Sequence, residues 1–445
     1  MRRWMVGLMT ACTASVAIAA AQTSPQAPAA PARGAAAPAA KPLDIYVVDT
    51  EGGKAALWIS PTGQTVLIDS GNPGNRDLDR LMAAVQDAGV TKIDYLISTH
   101  YHVDHIGGMA ELAKRLPIGT FVDHGPSVEA REQVQGFQAT YAELYNKAKH
   151  IVVKPGDRVP VTGLDWRIVT AGGQALKTPL VGAGQTNALC TGAQMKDPNP
   201  TDENSQSVGS VVTLGQFKAI DLGDLLWANE HDLMCPRNMV GTVDLLMVSH
   251  HGLDQSNSPA LVQAVRPRVA VVQNGTTKGA AGLVTSFQTI RNSPGLLDLW
   301  ELHWNYYAGV EQNSAGVFIA NLSDPETIAA NIVTPPGTGG RRGGAPGGGG
   351  APPAGAPGAG APPAGTPAGA PAAAPPAGAA VQGPPPGGAA QGAPPAGAPG
   401  GGGRGGQGGG AAAHTPAYWI KISARPDGTI TVTNSRNGFM KTYKK

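Results

Sequence analysis

Residues 98–108 read Ser-Thr-His-Tyr-His-Val-Asp-His-Ile-Gly-Gly, and this stretch decides the fold and the chemistry that we expect. It follows Ile93–Ser98, an apolar segment that predicts a buried strand. Neutral imidazoles and carboxylates are the usual ligands of zinc and related divalent ions. A strand end followed by a tight loop can turn alternate side chains into one cavity. The sequence therefore predicts a metal site formed by four groups within six residues: His100, His102, Asp104 and His105.

The rest of the chain reads as two strand-rich halves with helices between them. Leu78–Ala88 and Pro259–Val265 predict helices. Two such halves predict an α/β fold with two sheets packed face to face and helices outside. The other predicted strands are Leu43–Asp49, Ala55–Ser60, Thr65–Asp69, Val208–Leu214, Lys218–Leu222, Val243–Ser249 and Val269–Gln273, with a hairpin from Tyr418–Ser423 and Thr429–Thr433.

The run at 100–105 has the H-x-H-x-D-H pattern and resembles the signature of the metallo-β-lactamase superfamily. The resemblance extends from about Leu43 to Gln273, through VVDTEGGKAALWI, TVLIDSG, STHYHVDHIGG, IDLGDL and VSHHG in this order. In this combination the chain is similar to the hydrolase domain of the bacterial DNA-uptake protein ComEC and its stand-alone relatives. The resemblance implies a four-layer αββα sandwich with a two-metal site where loops of both sheets meet.

The resemblance also implies the roles of individual residues. Asp224 would bridge two metal ions, although an Asp in a Gly-Asp turn is by itself ordinary turn chemistry. His250 would complete the ligands of one ion, with His251 beside it or donating a proton, and the sequence leaves open which of the two binds metal. Asp104 and His251 are the expected catalytic residues. One ion is then held by Asp104, His105, Asp224 and His250, and the other by His100, His102 and Asp224.

The chain departs from the family pattern at two positions. Lactamase-like members supply a third His to the first metal, but its expected place here is Glu203–Ser207, where Asn204, Ser205 or water would complete the site. Lys54 stands where ComEC-like sequences usually carry an Asp. Candidates for lining a pocket are His124, His303 with Trp304, and Tyr306-Tyr307.

Composition divides the 445 residues into segments of different kinds. Residues 335–413 hold 29 Gly, 18 Pro and 23 Ala, which predicts a disordered insert. We expect a hydrolase domain at 42–334, completed by a hairpin at 414–445. These two parts carry 26 Lys and Arg against 31 Asp and Glu, a balance that disfavours a broad nucleic-acid surface.

The first residues indicate export. Arg2-Arg3, an apolar stretch at 4–19 and small residues at 19–21 predict a signal peptide over 1–21, followed by a flexible Pro/Ala-rich leader at 22–41. A lipoprotein tether at Cys12 is the less favoured alternative. The mature chain is then periplasmic or extracellular, without a membrane-spanning anchor. In such a compartment Cys190 and Cys235 form either a disulfide or two separately buried thiols.

These observations predict an exported hydrolase that uses a metal-activated water at a two-metal site, acting on phosphoester bonds. The alternatives are a β-lactam or other amide or ester hydrolase, and a non-catalytic binding protein on the same fold. Zinc is the expected cofactor, and manganese or iron suits the same ligands. The sequence does not identify the substrate or the oligomeric state.

Overall fold

The computed structural model describes residues 41–192, 196–197, 200–276, 278–279, 285–305, 308, 311–322 and 417–445. The expected signal peptide, the expected leader up to residue 40, the 335–413 insert and Tyr306-Tyr307 lie outside these residues. Of the helices in the described residues, none has both the length and the apolar character needed to cross a bilayer.

The first sheet has nine strands, and its middle is built from almost wholly buried segments. All four residues of Thr65–Ile68 are buried, as a strand covered on both faces requires. The strands, in the spatial order β18-β17-β16-β1-β2-β3-β4-β5-β6, are β1 (Leu43–Val47), β2 (Ala56–Ile59), β3 (Thr65–Ile68), β4 (Ile93–Ile97), β5 (Ile118–Asp123), β6 (Lys149–Val152), β16 (Ile420–Ala424), β17 (Ile430–Asn434) and β18 (Met440–Tyr443).

The second sheet also has nine strands, and β11 to β15 run parallel to one another. Its spatial order is β15-β14-β13-β12-β11-β10-β8-β7, with β9 paired to β8. The strands are β7 (Arg158–Val159), β8 (Asp165–Ala171), β9 (Gln174–Ala175), β10 (Gly209–Leu214), β11 (Phe217–Asp221), β12 (Leu245–Met247), β13 (Val269–Val272), β14 (Asp298–His303) and β15 (Ile319–Asn321).

Three apolar layers hold the sheets and helices together. Side chains of both sheets meet in the central layer, where the rings of Trp58 and Trp166 pack edge to face. In the outer layers, helices from the first half of the chain cover the first sheet and helices from the second half cover the second. The predicted αββα sandwich is therefore confirmed. Its helices are α1 (Asn75–Asp87), α2 (Val103–Ile106), α3 (Met109–Arg115), α4 (Glu132–Tyr145), α5 (Trp227–Met234), α6 (Pro259–Val265) and α7 (Thr285–Arg291).

Two long-range links join distant parts of the chain. β16 pairs antiparallel with β1, so the residues after the insert continue the first sheet. Cys190 and Cys235 form a disulfide, which ties a short 3-10 turn to the end of α5. Of the two alternatives for this cysteine pair, the structure has the disulfide.

Candidate metal centre

The candidate ligands lie at the carboxyl ends of parallel strands from both sheets. The run 100–105 follows β4, which is parallel to both β3 and β5. Asp224 follows β11, and His250-His251 follow β12, which pairs parallel with β11. Loops at the carboxyl ends of parallel strands are the usual place for ligand sites in such sheets. The sandwich brings the two sets of loops together.

Asp104, His105, Asp224 and His251 form a compact cluster in which one ligand atom from each lies within 4.8 Å of the others. His105 Nε2 is 3.2 Å from Asp224 Oδ2 and 3.5 Å from Asp104 Oδ2. His251 Nε2 is 3.3 Å and 3.2 Å from the same two oxygens. Two imidazole nitrogens and two carboxylates in this arrangement suit one divalent cation.

The two adjacent histidines of the His-His-Gly turn differ in position. His251 donates through Nδ1 to the carbonyl of Gln273, 3.0 Å away, and this contact turns its Nε2 into the cluster. His250 bonds Ser256 through Nδ1, and its Nε2 lies 3.6 Å from Asp224 Oδ2. Both residues have positive φ, 51° and 55°, and their ring planes are inclined to each other by 67°. The structure thus places His251, more than His250, among the other ligand atoms.

His100 and His102 form a second pair beside the cluster. His100 Nε2 lies 3.1 Å from His102 Nδ1, and the rings of His100 and His105 are 4.0 Å apart. The other nitrogen of His102 lies 3.1 Å from Glu129 Oε1. Glu129 thus occupies Nε2 of His102, and Nδ1 is the nitrogen that faces His100. Two nitrogens this close suit ligands of one ion.

The segment expected to supply a third ligand presents a buried carboxylate that is already bonded. Glu203 accepts from Ser127 Oγ at 2.5 Å and from the amide of Val128 at 2.8 Å. Its second oxygen lies 3.1 Å from His124 Nε2. Asn204 Oδ1, in contrast, is buried without a hydrogen-bond partner among the described residues. Ser205 uses its hydroxyl on the carbonyl of Asp202, so Asn204 has the open acceptor of this segment.

The protonation of the histidines and carboxylates in the centre depends on burial and on the charges of their neighbours. Burial disfavours the charged form of His105, but Asp224, Asp104 and Asp69 together outweigh it and raise the pKa of His105 to about 10. Burial and the neighbouring His105 hold the pKa of His100 well below its ordinary value, against the opposing charge of Asp224. Burial raises the pKa of Asp224, but the surrounding histidines hold it well below the usual range. The proton on His105 Nε2 must therefore leave before this nitrogen can bind a metal ion.

Two buried carboxylates behind the ligands fix their orientation. Asp69 accepts from His105 Nδ1 at 2.8 Å and from the Thr99 hydroxyl at 2.7 Å, which aims His105 Nε2 at the cluster. Asp221 pairs with Lys54 and accepts from the amide of Gly223 at 3.1 Å, one residue before Asp224. Such outer contacts orient metal ligands and set their tautomer.

The other sequence candidates lie outside the four-residue cluster. His124 bonds Glu203, and Trp304 packs against Ile319. His303 Nε2 lies 2.5 Å from Asp49 Oδ1, and Asp49 also pairs with Arg80. Asp49 and His303 form a second group of metal-binding type with Glu51, and the guanidinium of Arg80 already contacts both of its carboxylates.

Three residues near the site were not predicted from the sequence. Glu129 contacts His102, Glu203 occupies the third-ligand segment, and Lys278 forms an ion pair with Asp104. Only Glu203 had a sequence signal, because it falls in the segment where the family supplies its third histidine. Glu129 and Lys278 reach the site from loops with no local motif.

Comparison with known proteins agrees with this geometry. Residues 49–186 match the model of the metallo-β-lactamase superfamily. The chain is 24% identical over 189 residues to ComE operon protein 3 of Bacillus subtilis, covering 42% of this chain and 20% of that protein. It is 25% identical over 122 residues to hydroxyacylglutathione hydrolase of Klebsiella pneumoniae, covering 27% and 39%. The chain thus spans less than half the length of each of these relatives.

CmlA, a diiron β-hydroxylase from Streptomyces venezuelae, is 15% identical, with a TM-score of 0.32 over 57% of this chain and 50% of that one.

Proposed function

We propose that the chain is an exported hydrolase with a two-metal centre that cleaves phosphoester bonds. The observation that carries the proposal is the convergence of Asp104, His105, Asp224 and His251 within 4.8 Å, with His100 and His102 beside them. We assign one cation to Asp104, His105, Asp224 and His251. We assign the other to His100 and His102, with Asp224 shared between the two.

The residues present fit such a pair of cations. Asp224 Oδ1 is buried and lacks a hydrogen-bond partner among the described residues, while Oδ2 faces His105 and His251. A buried carboxylate oxygen without a partner is costly unless a cation binds it. The charge of Asp224 also acts on His100. Asp224 is thus the carboxylate suited to serve both positions.

Divalent cations held here would supply Lewis acidity, which polarises a phosphoryl oxygen and makes water a nucleophile near neutral pH. The water oxygen adds to phosphorus, the bond from phosphorus to the alcohol oxygen breaks, and the proton of the water ends on the alcohol. The chain supplies the orientation. Asp69 directs His105, the Gln273 carbonyl directs His251, and Glu129 directs His102.

The preference for phosphoester bonds over β-lactams rests on the third-ligand segment. A third histidine is absent from it, and the carboxylate of Glu203 is consumed by Ser127, Val128 and His124. Export is supported by the Cys190–Cys235 disulfide, because disulfides persist in oxidising compartments.

The test is metal analysis combined with hydrolysis assays on residues 22–445. We expect about two divalent ions per chain and cleavage of bis-nitrophenyl phosphate, with a chromogenic β-lactam left intact. His102→Ala and Asp224→Ala should abolish cleavage, and His231→Ala, on α5 away from the cluster, serves as the matched control. A chain without metal would overturn the proposal, and lactam cleavage without phosphoester cleavage would replace it with the alternative.

A further inference from the structure

Lys278 brings a positively charged side chain to the metal centre. Its ammonium forms an ion pair with Asp104 Oδ2, the oxygen that lies 3.2 Å from His251 Nε2. The side chain of Lys278 is 35% exposed, whereas that of His251 is 1% exposed. Lys278 therefore lies on the solvent side of the cluster, where a substrate would arrive.

The position of Lys278 is built by its surroundings rather than by Asp104 alone. Its carbonyl accepts from the amide of Gly275 at 3.0 Å and from Asn305 Nδ2 at 2.9 Å. A Cβ atom at Gly52 would lie 3.0 Å from both Cβ and Cδ of Lys278, so the glycine leaves the space in which the lysine stem packs. Backbone bonds and close packing hold the ammonium near Asp104.

We propose that Lys278 is a substrate-binding residue that contacts a non-bridging phosphoryl oxygen of the substrate. This inference rests on the proposed function. Asp104 Oδ2 faces both Lys278 and two imidazole nitrogens, so a divalent cation held by those nitrogens would compete with the ammonium for this oxygen. With the carboxylate engaged by the cation, an anionic oxygen of the substrate is the natural partner for Lys278. Neutral esters and amides offer no such group.

The other lysine near the centre does not serve this purpose. Lys54 is 3% exposed and pairs with Asp221 beneath the ligands, where no substrate reaches it. Arg131, beside His102, is 61% exposed but pairs with Glu129. Lys278 is thus accessible to solvent, and it contacts Asp104, a candidate ligand that would bind the cation once metal is present.

The experiment measures binding of inorganic phosphate to the metal-loaded mature chain by calorimetry. Lys278→Met keeps the length of the stem and removes the charge. Lys114→Met is the matched control, because Lys114 is an exposed lysine paired with Glu111. We expect Lys278→Met to weaken phosphate binding by about 10- to 100-fold, the range of one charged hydrogen bond. Lys114→Met should bind phosphate as the wild type does.

Metal affinity, measured by competition with a chromophoric chelator, separates the possible results. Lys278→Met should bind metal as tightly as the wild type or more tightly, because a competing cation has been removed. Wild-type phosphate binding in Lys278→Met, a loss of metal in this variant, or a larger effect on acetate than on phosphate would each overturn the inference. A wild-type chain that takes up no metal would overturn the proposed function itself.

Discussion

Lys54 and Asp221 form an ion pair between the two sheets, with 3% and 2% of their side chains exposed. Burial alone would lower the pKa of Lys54, but Asp221, together with Asp69 and Asp224, raises it, so the lysine stays charged. The backbone of Lys54 donates to the Asp104 carbonyl at 3.0 Å, and Asp221 accepts from Gly223. One ion pair thus connects the loops that carry Asp104 and Asp224.

Lys54→Met should lower the free energy of unfolding by about 3–5 kcal/mol, because it leaves the buried carboxylate of Asp221 without its cation. Urea unfolding of the metal-free chain measures this. The double variant Lys54→Met/Asp221→Asn should recover most of the loss, since neither charge remains. If the single variant unfolded at the wild-type urea concentration, Lys54 would not be compensating Asp221.

Asp69→Asn should weaken metal binding by about 10- to 100-fold. Asp69 Oδ2 accepts from His105 Nδ1, which keeps one proton on Nδ1, so that Nε2 is the nitrogen that loses its proton when His105 binds metal. An amide NH₂ in this position would donate to Nδ1 and place the proton on Nε2. Asn also tolerates the positive φ of 58° at this residue, so the backbone should keep its shape.

Competition with a chelator measures the metal affinity of Asp69→Asn. Asp94→Asn is the control. Asp94 accepts from the amide of Thr65 at the start of β3, whereas Asp69 follows the end of that strand. Equal metal affinity in Asp69→Asn and the wild type would show that Asp69 does not set the tautomer of His105.

Glu301→Gln should remove a pH dependence of stability. Burial raises the pKa of Glu301 to about 7 from 4.5. The folded chain therefore holds a proton that the unfolded chain has released between these pH values, and the wild type loses stability as pH rises from about 4.5 to 7. The loss attributable to this residue is about 3 kcal/mol at most.

Urea unfolding at pH 5 and pH 8 tests this prediction by comparing Glu301→Gln with the wild type. The variant keeps an oxygen for the amide of Ser314, which donates to Glu301 at 2.6 Å. Glu230, whose pKa burial also raises to about 7, stays in both chains and cancels in the comparison. If the difference in free energy of unfolding between Glu301→Gln and the wild type did not increase from pH 5 to pH 8, Glu301 would not be the source of the pH dependence.

Replacing both Cys190 and Cys235 by Ser should lower the free energy of unfolding by about 2–4 kcal/mol, because the bridge closes a loop with a sequence separation of 45. Thermal unfolding with and without reductant measures the change. Reductant should lower the wild-type melting temperature towards that of the double variant and leave the variant unchanged. If reductant also lowered the melting temperature of the double variant, its effect would not come from the Cys190–Cys235 disulfide.

A feature can be predicted from the sequence when the residues that form it lie close together in the chain. The candidate ligands at 100–105 can be predicted as a group because they lie within one run, and Asp224 can be added because its motif has a fixed order. The Lys54–Asp221 pair joins residues 167 positions apart with no local pattern. None of the four residues of β6 is buried, and β7 and β9 have two residues each, so these strands lack the apolar alternation that predicts a strand. The choice between His250 and His251 depends on which ring turns into the cluster, and the ring of His251 is oriented by the carbonyl of Gln273, 22 positions away in the chain.

The pairing of β1 with β16 has a consequence for the order in which the protein is made. β1 lies inside the first sheet, between β2 and β16, and β16 follows the 335–413 insert in the chain. Until the ribosome has translated the insert and the strands after it, one side of β1 keeps its backbone N–H and C=O groups unpaired. An open strand edge invites pairing with another chain. The first sheet is therefore incomplete in any chain that ends before Ile420, and such a chain leaves one edge of β1 exposed.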